Sequence, residues 1–323
     1  MAGDGKTDAA ETNEVIFAFS FLTFVAVTKT LLTKFVFTHV NTPVAFSVLS
    51  CLATMIVIVP VFVCRPSYFG WIKRNMLGGF FACSGAIAID LACTNVAISE
   101  LSVAMQQTIK ATSPAATVLL EVAFQRKCQH PVIFALIGML CMGSVLVKWG
   151  SSDYDATAYG MIMMIIAVVS GAFKYVMAHA MIREFREELG VLAFTFWVEL
   201  FVAIVLTPWA VLNGEAAALL YGDAASTPMD WALLWFTGAY GGVRIVSQFA
   251  LLVHTSATTL ALSNVTIQAL TTILGIFLFG TPVTNFLVAG VTVTLLSTAG
   301  YTYVKVSKIL EPPKEGGKGG PLL

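Results

Sequence analysis

The stretch VAFSVLSCLATMIVIVPVFV, residues 44–63, decides the fold, because it runs for twenty residues without a charged side chain. At about 1.5 Å of rise per residue, a helix of this length spans the roughly 30 Å hydrocarbon core of a bilayer. A helix in lipid also satisfies its own backbone hydrogen bonds, so we expect helices and no strands. Residues 44–63 therefore predict a transmembrane helix.

The composition extends this interpretation to the whole chain, since 58% of the residues are hydrophobic and only 11% are charged. A soluble domain has about 25% charged residues, because its surface must face water. Much of this surface is therefore expected to face a lipid bilayer. The formal net charge of zero argues against a nucleic-acid partner.

Nine further apolar runs of similar length follow the same pattern, so we predict an all-α integral membrane protein of about ten transmembrane helices. The predicted spans are Val15–Phe37, Val44–Val63, Met76–Ile98, Val103–Phe124, Val132–Trp149, Tyr159–Met181, Val191–Leu212, Trp231–Val253, Ala257–Phe279 and Phe286–Val304. A polar tail (1–14) precedes the helical domain (15–305), and a tail rich in Pro, Gly and Lys (306–323) is predicted to be disordered.

Loop charge predicts the orientation of these spans. One side holds both termini and most of the basic loop residues, among them Arg65, Lys73, Arg74, Arg126, Lys127, Arg183, Arg186, Lys305 and Lys308. The opposite loops are acidic, with Glu100, Asp153, Asp155, Glu215, Asp223 and Asp230. The positive-inside rule therefore places both termini in the cytosol.

A weak internal repeat divides the domain. Lys29 and Lys34 lie five residues apart in the first span, and Lys174 and His179 have the same spacing in the sixth. We therefore expect two five-helix halves, at about 15–149 and 159–304, which are inverted because each has an odd number of spans. Gly238 and Gly242 form a GxxxG pattern that predicts close helix packing.

Charged residues inside the spans indicate a site, because a charge in the bilayer costs about 2.5–3.5 kcal/mol unless it faces a cavity or a partner. The basic ones are Lys29, Lys34, Lys110, Lys174 and Arg244, and the acidic ones are Asp90, Glu121 and Glu199. The basic excess favours a small organic anion as ligand. Asp90 and Glu199 are candidate counter-ions or coupling groups.

Lys110 is the strongest candidate because it lies mid-span in the polar stretch QQTIKATSP, residues 106–114. Pro114 lacks an N–H, so it frees a backbone carbonyl in the membrane. The alternative is a structural ion pair between Lys110 and Asp90. Lys34 lies near a span end, where a lysine can extend to the interface instead of the cavity.

The sequence contains no catalytic or metal-binding motif, and its loops are too short for a soluble catalytic domain. We therefore expect neither an enzyme, nor a cofactor, nor a metal. Six cysteines without a CxxC pair also argue against a disulfide framework or a zinc site.

Several motifs resemble the triose-phosphate and nucleotide-sugar translocator family of the drug/metabolite transporter superfamily. They are Thr94-Asn95, the TIKATSP segment at 108–114, Leu32-Thr33-Lys34, and FGTPVT at 279–284. The resemblance implies ten helices in two inverted halves and exchange by alternating access. It also implies a substrate site in which Lys110 and Thr94 hold phosphate, Asn95 lies beside them, and Lys174 stands where plastid members have arginine.

The chain departs from the plastid exchangers of that family at three positions. Leu91 stands where they have histidine, and Ile267 and Gln268 stand where they have a Lys-Arg pair. This argues against triose phosphate and for a larger anion such as a nucleotide sugar, with Gln268 or Asn264 bonded to sugar or base.

We therefore expect an antiporter of a nucleotide sugar or sugar phosphate. An acidic, Arg-poor N-terminus favours the Golgi or endoplasmic reticulum membrane over the plastid inner envelope. Two alternatives stay open: a proton-coupled efflux carrier that depends on Glu199 or Asp90, and a membrane scaffold or receptor that transports nothing.

Overall fold

The computed structural model describes residues 4–110, 112–113, 115–117, 119–120, 131–150, 157–185, 188–254, 257–279 and 283–306. All regular structure in these ranges is helical, which confirms the predicted all-α class. The helices are α1 (Asp4–His39), α2 (Pro43–Cys64), α3 (Leu77–Glu100), α4 (Val103–Lys110), α5 (Pro131–Gly150), α6 (Ala158–Phe185), α7 (Val191–Leu212), α8 (Glu215–Leu220), α9 (Pro228–His254), α10 (Ala257–Phe279) and α11 (Asn285–Val306).

Six helical segments in this part of the chain are long and apolar enough to cross a membrane. They are Phe17–His39, Pro43–Cys64, Arg74–Glu100, Ala158–Ile182, Val191–Leu212 and Pro228–Val253, and shorter apolar helices cover Phe134–Gly143, Leu270–Phe279 and Asn285–Ser297. The protein is thus a multi-pass helical membrane protein. The count of ten spans and the cytosolic position of both termini stay predictions.

Helix α2 shows why the helices begin and end where they do. Pro43 occupies the first turn, where a missing N–H costs nothing. The N–H groups of Val44 and Ala45 donate to Oε2 of Glu215 at 2.6 and 2.9 Å. The helix ends at Cys64 because Arg65, which precedes a proline, is kept out of the helical region.

The fourth predicted span is broken. Helix α4 ends at Lys110, Thr112 lies in a turn, and residues 113, 115–117 and 119–120 are helical again. The hydroxyl of Ser113 donates to the Lys110 carbonyl at 2.6 Å, in place of the N–H that a proline at position 114 lacks. The sequence therefore interrupts this helix halfway along its predicted path.

Close packing joins α9 to α2 and α5 to α11. A Cβ on Gly238 would lie 3.0 Å from Cα of Ser50, and one on Gly242 would lie 2.6 Å from Oγ1 of Thr54. The GxxxG pattern is therefore a packing surface, as predicted. Helices α5 and α11 pack against each other, and the remaining long helices surround a central cavity.

Three predictions fall outside the described residues. They concern Glu121, the basic residues at 126–127 and 186, and the disorder of the C-terminal tail from 307 onward.

Candidate functional site

A cavity lies among α1, α2, α3, α4, α6, α7, α9 and α10. It has a volume of about 80 Å³, which is room for roughly six water molecules. Most of the sequence-predicted site residues line it: Lys29, Asp90, Thr94, Asn95, Lys110, Lys174, Glu199, Arg244, Asn264 and Gln268. The chain thus brings ten candidates from seven helices to one place.

Lys110 lies at the last residue of α4, where the helix breaks. Its ammonium group is 3.4 Å from Oγ1 of Thr94 on α3. Its carbonyl, besides accepting from Ser113, accepts a hydrogen bond from Nε2 of Gln268 on α10 at 3.2 Å. The break therefore fixes Lys110 to two other helices and leaves its ammonium at the cavity.

Asp90 forms an ion pair with Lys174, so it is not the partner of Lys110. The two side chains are only 8% and 13% exposed. Thr94 also donates to Oδ1 of Asp90 at 3.2 Å. Gly171 makes room for the carboxylate, since a Cβ there would lie 3.2 Å from Oδ1. Asp90 is thus the counter-ion of Lys174, and together they tie α3 to α6.

Lys29 and Arg244 are less constrained cations. The Lys29 ammonium lies 5.9 Å from the centre of the Phe46 ring. Among the residues that the structure describes, neither Lys29 nor Arg244 has a hydrogen-bond acceptor or an ion-pair partner. Two positive charges therefore remain at the cavity without a carboxylate on either of them.

Glu199 is the second carboxylate of the cavity, and it is 1% exposed. It accepts a hydrogen bond from the thiol of Cys51. Its Oε1 atom has no hydrogen-bond partner among the described residues. Glu199 is therefore positioned to offset part of the positive charge of the cavity without forming an ion pair with any described lysine.

Lys34 is the one candidate placed elsewhere. Its ammonium donates to the carbonyls of Ile98 and Leu101 at 2.7 and 2.9 Å, and it does not line the cavity. Lys34 thus joins α1 to the end of α3. Its position is that of a structural lysine, although its predicted substrate contact has not been tested.

Several lining residues were not predicted from the sequence. They are Gln106, Gln107 and Gln248, with the hydroxyl groups of Thr30, Ser50 and Thr54. The spacing of Gln106 and Gln107 from Lys110 is the signal in the sequence that points to them, because it places both within about one helical turn of it. Leu91 and Ile267, two of the positions at which the sequence departs from the pattern expected for plastid exchangers, also line the cavity.

The chain is similar in sequence to several known transporters. The chain is 28% identical to Solute carrier family 35 member E4 of Rattus norvegicus, over 64% of this chain and 57% of that protein. It is 24% identical to UDP-uronic acid transporter 1 of Arabidopsis thaliana, over 65% of this chain and 68% of that protein. The match thus spans less than two thirds of the rat protein's length.

Two further comparisons concern function and fold separately. A "Probable sugar phosphate/phosphate translocator" of Arabidopsis thaliana is 22% identical, over 74% of this chain and 66% of that protein. One solved crystal structure superposes with a TM-score of 0.62 at 14% identity, covering 91% of this chain and 99% of that chain. This likeness shows a shared fold.

The family assignment rests on a match along almost the whole membrane part. Residues 14–302 fit the pattern of one family, and they include every described residue that lines the cavity. The chain therefore belongs to the Triose-phosphate Transporter family.

Proposed function

We propose that this protein is an alternating-access antiporter of a small organic anion that bears phosphate, namely a nucleotide sugar or a sugar phosphate. The charge of the cavity carries this proposal. Among the described residues that line the cavity, the basic ones are Lys29, Lys110, Lys174 and Arg244 and the acidic ones are Asp90 and Glu199. This lining therefore has a formal excess of two positive charges. Uncompensated charges are costly in a membrane interior. A dianion in the cavity would neutralise the excess.

The contacts of each cation suggest its role. Lys110, Lys29 and Arg244 have no carboxylate bound to them, so we assign them to the anion. The hydroxyl of Thr94, close to Lys110, is assigned to the same phosphate. Lys174 is held by Asp90 and is assigned a positioning role at the edge of the anion site.

The helix contacts support two five-helix halves. Exchanging α1 with α6, α2 with α7, α3 with α9, α4 with α10 and α5 with α11 converts most of the observed pairs among these ten helices into one another. For example, the pair α3–α6 becomes α9–α1, and both pairs are in contact. Halves of five spans each are inverted, which gives ten spans with both termini on one side. We propose that this side is the cytosol.

The size of the cavity supports a moving carrier. A space for roughly six water molecules is too small for a nucleotide sugar, so binding one requires the halves to separate on one side. The relatives named as a UDP-uronic acid transporter and as a sugar phosphate/phosphate translocator support both solute classes. Because Leu91 and Ile267 remove part of the clamp expected for plastid exchangers, we propose the Golgi or endoplasmic reticulum membrane as the location.

The test is counterflow into proteoliposomes preloaded with nucleoside monophosphate, with inorganic phosphate or with nothing. Lys110→Gln should slow exchange by about 10- to 150-fold, since a hydrogen bond to a charged group contributes about 1.5–3 kcal/mol. The control is Lys73→Gln, which removes an exposed lysine far from the cavity.

Three outcomes would contradict the proposal. Exchange at the wild-type rate in Lys110→Gln would remove Lys110 from the site. Equal uptake into empty and preloaded vesicles would exclude obligatory exchange. Loss of transport in Glu199→Gln, with substrate uptake driven by a proton gradient, would favour the alternative of a proton-coupled efflux carrier.

A further inference from the structure

Three buried carboxamides line the wall of the cavity, one on each of three helices. Asn95 on α3, Gln106 on α4 and Gln268 on α10 all line the cavity, and each is at most 4% exposed. We call these three residues the carboxamide corner. Gln268 connects the corner to Lys110, because its Nε2 donates to the Lys110 carbonyl.

Each member of the corner uses one end of its amide, and the other end has no partner in the part of the chain that the structure describes. Nδ2 of Asn95 donates to Oγ of Ser47 at 2.8 Å, and this hydroxyl itself donates to the carbonyl of Pro43. Ser47 can therefore only accept from Asn95, which fixes Oδ1 as the unpaired end. The Lys110 carbonyl likewise can only accept, so Gln268 must donate to it through Nε2. Its Oε1 is therefore the unpaired end.

Gln106 supplies the complementary group. Its Oε1 accepts from Nε2 of Gln107 at 2.5 Å, and its own Nε2 has no partner among the described side chains. Two acceptors, Oδ1 of Asn95 and Oε1 of Gln268, thus accompany one donor. A buried polar network with unpaired members is less stable than a fully paired or an apolar one. A purely structural corner would therefore be expected to pair these atoms.

The chemistry of the unpaired atoms specifies a ligand. The two acceptors need O–H or N–H donors, and the one donor needs a hydroxyl or carbonyl oxygen. Adjacent sugar hydroxyls offer this combination, because each hydroxyl can both donate and accept. The imide edge of a pyrimidine has one N–H donor between two carbonyl oxygens, so it can pair with one of the two acceptors and with the donor. A fully ionised phosphate or a carboxylate offers only acceptors. Its oxygens would repel the acceptor oxygens of Asn95 and Gln268.

We propose that the carboxamide corner binds the neutral head of the transported anion, a group with neighbouring hydrogen-bond donors and acceptors, while Lys110 binds its phosphate. The assignment rests on the proposed function, since it names the second half of the same ligand. It makes the corner a specificity site that favours organic phosphates with a polar head over inorganic phosphate.

The experiment measures how probe anions compete with exchange in proteoliposomes of the full-length chain. Methyl phosphate has no polar head, glucose 1-phosphate offers sugar hydroxyls, and 2′,3′-dideoxyuridine monophosphate offers the imide edge without ribose hydroxyls. The variants are Asn95→Leu and Gln106→Met, which keep side-chain volume but remove the amides. The control is Thr237→Val, which removes an unpaired buried hydroxyl that does not line the cavity.

We expect both corner variants to weaken competition by a polar-headed probe about tenfold and to leave methyl phosphate unchanged. Selective loss for glucose 1-phosphate identifies the head as a sugar, and selective loss for the dideoxynucleotide identifies it as a base. Thr237→Val should leave every probe unchanged. Melting temperatures of the empty variants should stay close to that of the wild type, because each substitution removes one hydrogen bond together with one unpaired amide atom.

Two results would overturn the assignment. If the wild type exchanges organic phosphates but both variants keep wild-type competition for all probes, or lose all probes equally, the corner does not bind the head. If no phosphate competes in the wild type, the proposed function itself fails and the corner assignment fails with it.

Discussion

The ion pair between Asp90 and Lys174 gives a prediction with a calculable size. Asp90→Asn leaves the Lys174 ammonium in a site where both side chains are at most 13% exposed. Lys174→Met leaves the Asp90 carboxylate with the hydroxyl of Thr94 as its one remaining donor among those described. Combining the two substitutions removes both charges and leaves a neutral amide beside an apolar chain.

The expected magnitudes follow from burial. Removing one partner of a buried pair costs about 3–5 kcal/mol, because the other charge stays uncompensated. The destabilisation by Asp90→Asn should lie near the lower end of this range, since the amide oxygen can still accept a hydrogen bond from Thr94. Replacing both partners is often close to neutral, so the double variant should lie within about 1–2 kcal/mol of the wild type. The coupling energy of the cycle is therefore expected to be about 4 kcal/mol or more.

The assay is equilibrium unfolding of the purified wild type, both single variants and the double variant in one detergent. The reasoning is refuted if the free energy of unfolding of each single variant is within about 1 kcal/mol of the wild-type value, which is the loss expected for an exposed ion pair. Exchange rates then separate two roles for Lys174. A stable double variant that still exchanges means that Lys174 positions the site, whereas a stable double variant without exchange means that Lys174 contacts the substrate.

Two further predictions concern packing and topology. Gly143→Ala should destabilise the protein by about 1–3 kcal/mol. The new Cβ would overlap Oγ1 of Thr294 and lie 3.0 Å from the Gly290 carbonyl oxygen, so α5 would have to move away from α11. The control for thermal unfolding is Gly85→Ala, whose Cβ would meet nothing within 4 Å; equal stability of the two variants would contradict the packing argument. Tags on both termini should be digested by protease in sealed vesicles with the cytosolic side out, and a protected tag would show that the span count or the orientation is wrong.

Helix positions could be predicted from sequence because the bilayer sets a minimum length for an apolar run. The bounds Val191–Leu212 and Ala257–Phe279 agree with the structure to the residue. The break near Lys110 was also foreseeable, since a proline four residues later removes a backbone donor. Its partner Gln268 was not foreseeable as a partner, because it lies 158 residues away in the chain.

The site was predictable as a set of buried charges but not as a set of contacts. Lys29 and Lys34 lie five residues apart, and at about 100° per residue their side chains point roughly 140° apart. One helix face cannot present both to the cavity, and the structure turns Lys34 to the end of α3 instead. Helical periodicity alone is therefore enough to predict that the two lysines have different surroundings. The pairing of Asp90 with Lys174 follows only from the three-dimensional structure, because the two residues lie far apart in the chain.

The contacts of the cations also bear on why exchange would be obligatory. The Lys110 carbonyl is bound by Gln268, Lys174 is bound by Asp90, and a Cβ on Gly241 would lie 3.5 Å from Cε of Lys29. Each contact joins a helix before residue 150 to one after residue 158, so a motion of one proposed half against the other changes all three together. An anion held by these cations then interacts differently with the two states, and only such a difference lets a ligand shift a conformational equilibrium. Under the proposed function, an empty cavity would have no such contribution and would keep its unneutralised charge throughout the motion, so the loaded carrier would be the one that crosses readily.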